Sequence, residues 1–286
     1  MESLSQIKLF YGRKIVIGTK HQKERVISPI LLMELGLESS VLVDLDTDVL
    51  GTFSGEIERK DNPLVTVRKK CELALDISGA DLAIANEGSF GPHPASVFLP
   101  AGDEIIMLYD RKNNVEFVER ELNTDTNFHG SVIKTEKQLQ EFSRAVKFPT
   151  HAIILRKAKD DHSFVVKGIN TVSNLNNTYN HLIQKYGCAY AETDMRAMYN
   201  PTRMNNIEKA TIKLVNKIKS LCPHCNFPGF AITEVKPGLL CGLCGLPTRS
   251  IKSHLYICQN CCYQKELMYP SHNQKEDPMY CDYCNP

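Results

Sequence analysis

The 286-residue chain is 42% hydrophobic and 23% charged, an ordinary globular composition long enough for about two domains. Its 34 Lys plus Arg nearly cancel 33 Asp plus Glu, so the net charge gives no push toward nucleic acid or an anionic membrane, no membrane partner is expected, and any nucleic-acid contact has to be local. No run approaches the ~18 apolar residues of a membrane span, and the opening MESLSQIKLFYGRK lacks a secretory apolar core; the expected compartment is cytoplasmic.

Along the chain, KIVI (14–17) reads as a strand, followed by a tight loop and a helix that starts or breaks near Pro29. VLVDL (41–45) is a second short strand. Asn62 and Pro63 cap a helix whose apolar stripe includes Val67, Cys71, Ala74 and Leu75. DLAIAN then returns as a strand that ends at Glu87. Strands are expected at 104–109, 115–119, 151–156 and 163–168, with helices from Thr135, where TEKQ has capping-box form, and over 173–186. A last helix starts at Asn200 and Pro201, with Met204, Ile207, Thr211, Leu214 and Ile218 on one face. This alternation predicts an α/β fold, a layered mixed sheet with flanking helices. Residues 1–220 form the expected α/β domain and 221–286 a small double zinc-ribbon domain.

Eight of the eleven cysteines form four CxxC units, Cys222/Cys225, Cys241/Cys244, Cys258/Cys261 and Cys281/Cys284, with gaps of 15, 13 and 19 residues. Each unit supplies two thiolates, so two units close one tetrahedral site and the module takes two structural zinc ions; an iron–sulfur cluster and redox thiols are the alternatives. Sequential pairing, first unit with second and third with fourth, is favoured, with cross-braced and nested pairings open. Four thiolates leave no position for a catalytic water. The expected role is a folding staple or a contact with protein or nucleic acid, although five Lys/Arg balance five Asp/Glu over 222–286. Cys262 is a spare thiol or an alternative ligand to Cys261, and Cys71 and Cys188 read as core residues.

The catalytic candidates lie in the first domain. GTKHQKE follows a strand and opens a helix, so Thr19, Lys20 and Lys23 with nearby N–H groups offer a place for phosphate. Carboxylates follow at Asp46, Asp48, Glu56, Glu58, Asp81 and Glu87. Carboxylates gathered at strand ends are what Mg²⁺ uses when it bridges to substrate phosphates. Glu87 fits best, set between an apolar strand and the flexible GSFGPHP, with Ser89 and His93 beside it. In ETDMRAMYNPTRM, Glu192, Asp194, Arg196 and Arg203 flank a strand-to-helix junction: either the guanidiniums grip phosphate, or Asp194 and Arg196 form a structural ion pair. Lys167 is a further candidate for substrate contact.

KIVIGTKHQKERV together with TVRKKCELALDISGADLAIANEGSF resembles the inosine/xanthosine triphosphate pyrophosphatase superfamily, including its Maf-like relatives, over roughly residues 14–94. The whole chain also resembles an uncharacterised bacterial family. The first resemblance implies that Thr19 and Lys23 hold phosphate and that Glu87 binds Mg²⁺ or activates water, with Glu56 in place of the acidic residue that Val65 replaces. The implied activity is metal-dependent hydrolysis of a nucleoside triphosphate or related phosphate compound, releasing pyrophosphate, with Glu87, Glu56 and Arg196 as catalytic residues. The alternatives are a non-catalytic nucleotide- or RNA-binding zinc protein, with Lys209, Lys213 and Lys217 along a basic groove, and a zinc-stapled scaffold.

Overall fold

The computed structural model describes residues 7, 9–42 and 61–286. The chain divides into two compact units, Met1–Val215 and Asn216–Pro286.

In the first unit, one sheet contains β1 (Lys14–Ile17), β2 (Glu38–Val41), β3 (Leu82–His93), β4 (Ser96–Asp110) and β5 (Val115–Asn123), in the order β2-β1-β3-β4-β5. β1 runs parallel to β2 and β3, whereas β3, β4 and β5 form an antiparallel meander. α1 (Glu24–Leu35) passes through Pro29, where the sequence predicts a start or a break. Pro29 lies early in the helix and is exposed, and the carbonyl it leaves without an N–H partner belongs to exposed Arg25. α2 (Pro63–Ser78) begins as expected: the Asn62 side chain accepts from Val65 N at 3.0 Å and Pro63 occupies the first turn. Its stripe of Val67, Cys71, Ala74 and Leu75 packs on Val16, Ala83, Ala85 and Met107.

A second sheet contains β6 (Gly130–Ile133), β7 (Ile153–Arg156), β8 (Val165–Ile169) and β9 (Ala189–Thr193), in the order β6-β9-β7-β8 and antiparallel throughout. α3 (Glu136–Ala145), opened by the Thr135–Gln138 capping box, and α4 (Val172–Tyr186) bury Leu139, Phe142, Leu175, Tyr179 and Leu182 against it. α5 (Pro201–Lys219) buries Arg203, Asn206, Ile207, Ala210, Thr211 and Leu214, so its inward stripe is polar at the first turn and apolar beyond it.

The second unit is a three-stranded antiparallel sheet of β10 (Ile232–Pro237), β11 (Ile251–Ile257) and β12 (Gln264–Met268). Among the described residues, no helix is long and apolar enough to cross a membrane.

Candidate functional site

β1 and β3 pair only at Val16↔Ala83 and Ile17↔Ile84, and Gly18 N donates to Ile84 O at 2.7 Å as the last link. β3 does not stop at Glu87, as the sequence suggested. It continues to His93, paired residue by residue with β4, so the strand that ends here is β1. Glu87 therefore lies mid-strand, just past the carboxyl end of its parallel neighbour, which is where open α/β sheets collect ligands.

The loop leaving β1 is tightly constrained. A side chain at Gly18 would put its Cβ 2.9 Å from the Lys70 carbonyl, so α2 can approach β1 this closely only over glycine. His21 and Gln22 follow with φ of 69° and 59°, two consecutive non-glycine residues in the left-handed region. Such strain persists only where the surroundings hold it. Here it turns the chain so that Lys23, at the start of α1, is only 5% exposed. Thr19 is buried and its hydroxyl donates to the Lys20 carbonyl at 2.9 Å, while Lys20 is half-buried.

Around this point five charged side chains are buried: Lys23, Lys70, Glu87, Glu104 and Arg203. Lys70, from α2, pairs with Glu87. Arg203, from the first turn of α5, donates from Nε to Glu104 Oε1 at 2.7 Å and from Nη1 to Met195 O at 2.5 Å. Asn86 Nδ2 donates to Glu104 Oε2 at 2.6 Å, and Asn86 Oδ1 is buried without a hydrogen-bond partner. Strand alternation puts Glu87 on the face covered by α2, with Ala83 and Ala85, and Glu104, across from Gly88, on the other. Gly88 has no room for a side chain: an added Cβ would meet Glu104 Oε1 and lie 2.7 Å from Arg203 Nη2. The Lys23 ammonium senses both ion pairs. Burial, then the Arg203 and Lys70 cations, push its pKa well below the usual lysine value, and Glu104 and Glu87 only partly offset them. Among the described residues three cations face two carboxylates, so the cluster carries surplus positive charge when Lys23 is protonated, which suits an anionic ligand.

The structure distributes the other expected site residues differently. Arg196 pairs with Asp194. Its Nη2 donates to Asp194 at 2.6 Å, Gly168 N donates to the same carboxylate at 3.0 Å, and the guanidinium stacks over Tyr199 at 4.6 Å. This is the structural ion pair that the sequence left open, formed because Arg196 folds back on a residue two positions away. Glu192 pairs with Arg156. Lys167 lies on β8, in the second sheet. His93 closes the β3–β4 turn, its Nδ1 accepting from Ala95 N at 3.1 Å. Ser89 is half-buried on β3 opposite Asp103, and Asp81 pairs with Arg13 at 2.8 Å. Glu56, Asp46, Asp48 and Glu58 lie outside the described residues. Lys70, Asn86 and Glu104 were missed from sequence, although each left a signal. Lys70 occupies an inward position of the α2 stripe, and Glu104 alternates with buried Ile106 and Leu108.

In the second unit the eight thiols form two groups, Cys222, Cys225, Cys258 and Cys261, and Cys241, Cys244, Cys281 and Cys284. Sequential pairing is thus overturned, and the strand register gives the reason. Ile232 at the start of β10 pairs with Tyr256 near the end of β11, so the units before β10 and after β11 meet at one end of the sheet. β12 runs antiparallel to β11 and leads its following unit to the other end, where Cys241 pairs in parallel with Glu276. Sulfur–sulfur distances are 3.8 Å for Cys222–Cys261 and Cys241–Cys284, and 3.6 Å for Cys225–Cys258 and Cys244–Cys281. A tetrahedron with metal–sulfur bonds of about 2.3 Å has edges of about 3.8 Å, so each group fits a single tetrahedral ion. Backbone amides of Cys244 and Leu243 lower the Cys241 thiol to about 7, favouring the thiolate that binds metal. Cys262 is exposed at φ 57° and belongs to neither group.

A family model described as "Domain of unknown function (DUF6671)" matches residues 70–286. The chain belongs to that family. The match begins at Lys70 and includes Glu87, Glu104, Arg203 and all eight clustered cysteines, while the loop with Thr19 and Lys23 precedes it. No curated protein matches the chain.

Proposed function

We propose that the first unit binds and hydrolyses a nucleoside triphosphate or a related phosphate compound, releasing pyrophosphate, and that the two Cys₄ groups hold structural zinc. The observation that carries the first part is Lys23: a buried amine at the end of a parallel strand, flanked by the cations Lys70 and Arg203. An incoming phosphate supplies counter-charge to the three, and the opening of α1 adds N–H donors. Arg203, held by Glu104, and Lys70, held by Glu87, steady charge that grows during phosphoryl transfer. Glu87 would hold magnesium brought in with the phosphates, which would supply neutralisation of the phosphate charge. In the reaction, water adds to the α-phosphorus, the α–β P–O bond breaks, and pyrophosphate leaves with the bridging oxygen. For the thiolates, edges of 3.6 to 3.8 Å and the absence of an open coordination position favour zinc in a structural role.

One observation favours a second reading, nucleotide or RNA binding without catalysis: both carboxylates of the cluster are already engaged by cations. The deciding experiment measures pyrophosphate release across nucleoside triphosphates with Mg²⁺, alongside calorimetric binding, for wild type, Glu87→Gln and Lys23→Met. Release abolished by Glu87→Gln supports hydrolysis. Binding that Lys23→Met abolishes, without release in the wild type, supports the second reading. Neither binding nor release overturns both.

A further inference from the structure

α5 delivers Arg203 to the buried cluster from its first turn, so the way that turn is fastened matters. Asn200 is one fastening: its Oδ1 accepts from Arg203 N at 3.0 Å, and its Nδ2 donates to Asn127 Oδ1 at 2.8 Å. The other is His151, which lies just ahead of β7 and is 5% exposed. Its Nε2 is 3.3 Å from Thr202 N and 2.9 Å from Thr202 Oγ1, and its Nδ1 is 3.1 Å from Thr150 Oγ1. The Thr150 hydroxyl is committed as a donor, to Lys147 O at 2.6 Å.

These contacts fix the proton. A backbone N–H can only donate, so Nε2 needs its lone pair, and the imidazole is neutral with its hydrogen on Nδ1, pointing at an oxygen that is free to accept. We infer that His151 is a positioning residue whose neutral imidazole holds the first turn of α5 in the register that brings Arg203 to Glu104, and whose protonation releases that turn. A second proton, on Nε2, would take the lone pair from Thr202 N–H and face the positive end of the helix, with the Thr202 hydroxyl left to turn and accept it. Burial, and then the Lys147 cation, already lower the histidine from its usual value, so the fold favours the neutral ring. Among the described residues, Lys147 is the charged group facing the ring, with the polar groups of Thr150 and Thr202 and the amide end of α5 completing its surroundings.

The link to ligand affinity rests on the anion site proposed above, whereas the link to α5 does not, and the test separates them. In the intact metal-loaded protein, the His151 ring and the Thr202 and Arg203 backbone amides are followed by NMR as pH falls. The Thr202 amide is expected to move with the His151 midpoint, and that midpoint to lie below the usual histidine value. Sulfate, which keeps its charge over this range, serves as the affinity probe. Protonation of Lys23 tightens sulfate binding as pH falls, and protonation of His151 loosens it. His151→Gln, which keeps an acceptor but does not titrate, retains wild-type affinity at neutral pH and binds sulfate more tightly than wild type once the wild-type ring is protonated. His151→Leu binds about tenfold more weakly, the value of one lost hydrogen bond at the helix start. Thr202 and Arg203 amides indifferent to the His151 titration overturn the inference. If sulfate does not bind at all, the anion site fails and the amide titration alone decides the role of His151.

Discussion

Interleaved metal sites make a prediction that two double variants decide. Cys222→Ala/Cys258→Ala removes two ligands from one group and none from the other, whereas Cys222→Ala/Cys241→Ala removes one from each. Structural zinc contributes about 10–16 kcal/mol in small domains, on the order of 3 kcal/mol per thiolate, or at least a hundredfold in affinity. The first variant should thus keep one site at full strength and weaken the other about ten-thousandfold. In the second, both sites should weaken about a hundredfold. After equilibration with a chelator of intermediate strength, native mass spectrometry should find one metal per chain in the first variant and almost none in the second. The opposite result, one tight ion surviving in Cys222→Ala/Cys241→Ala, would refute the register argument and restore sequential pairing.

Two further outcomes follow from the first unit. Gly88→Ala should cost about 3 kcal/mol in a urea titration, because its Cβ has to part the buried Glu104–Arg203 pair, while Gly91→Ala, with nothing within 4 Å, should be close to neutral. Asp110 is held below its ordinary 3.8: burial opposes the charge, but donors from Arg13 and Asn113 outweigh it. Its stabilising contribution is therefore complete above 3.8 and is lost as pH falls through the lowered value, so Asp110→Asn should flatten the acid limb of a stability curve.

The elements with local signals were legible in the sequence: the Asn62–Pro63 start of α2, the Thr135 capping box, and the helical stripe from Ile207 to Ile218. What was not legible depends on partners far along the chain. β3 runs on past Glu87 because β4 pairs with it, and no residue of DLAIANEGSF announces that pairing. The same is true of the buried cluster. Lys23 and Glu87 could be named from their surroundings in sequence, but Lys70 and Glu104 reach them only through a helix packed on one sheet face and a strand turned to the other. For the cysteines, spacing determined which residues bind and strand direction determined which bind together.

That strand direction also has a consequence in time. During synthesis, Cys222, Cys225, Cys241 and Cys244 emerge before any residue that completes a native group, since the first closes only with Cys261 and the second only with Cys284. The nascent chain therefore displays four thiols that suffice to chelate an ion in the wrong combination, and strand β11 has to form and pull Cys258 and Cys261 into place to undo it.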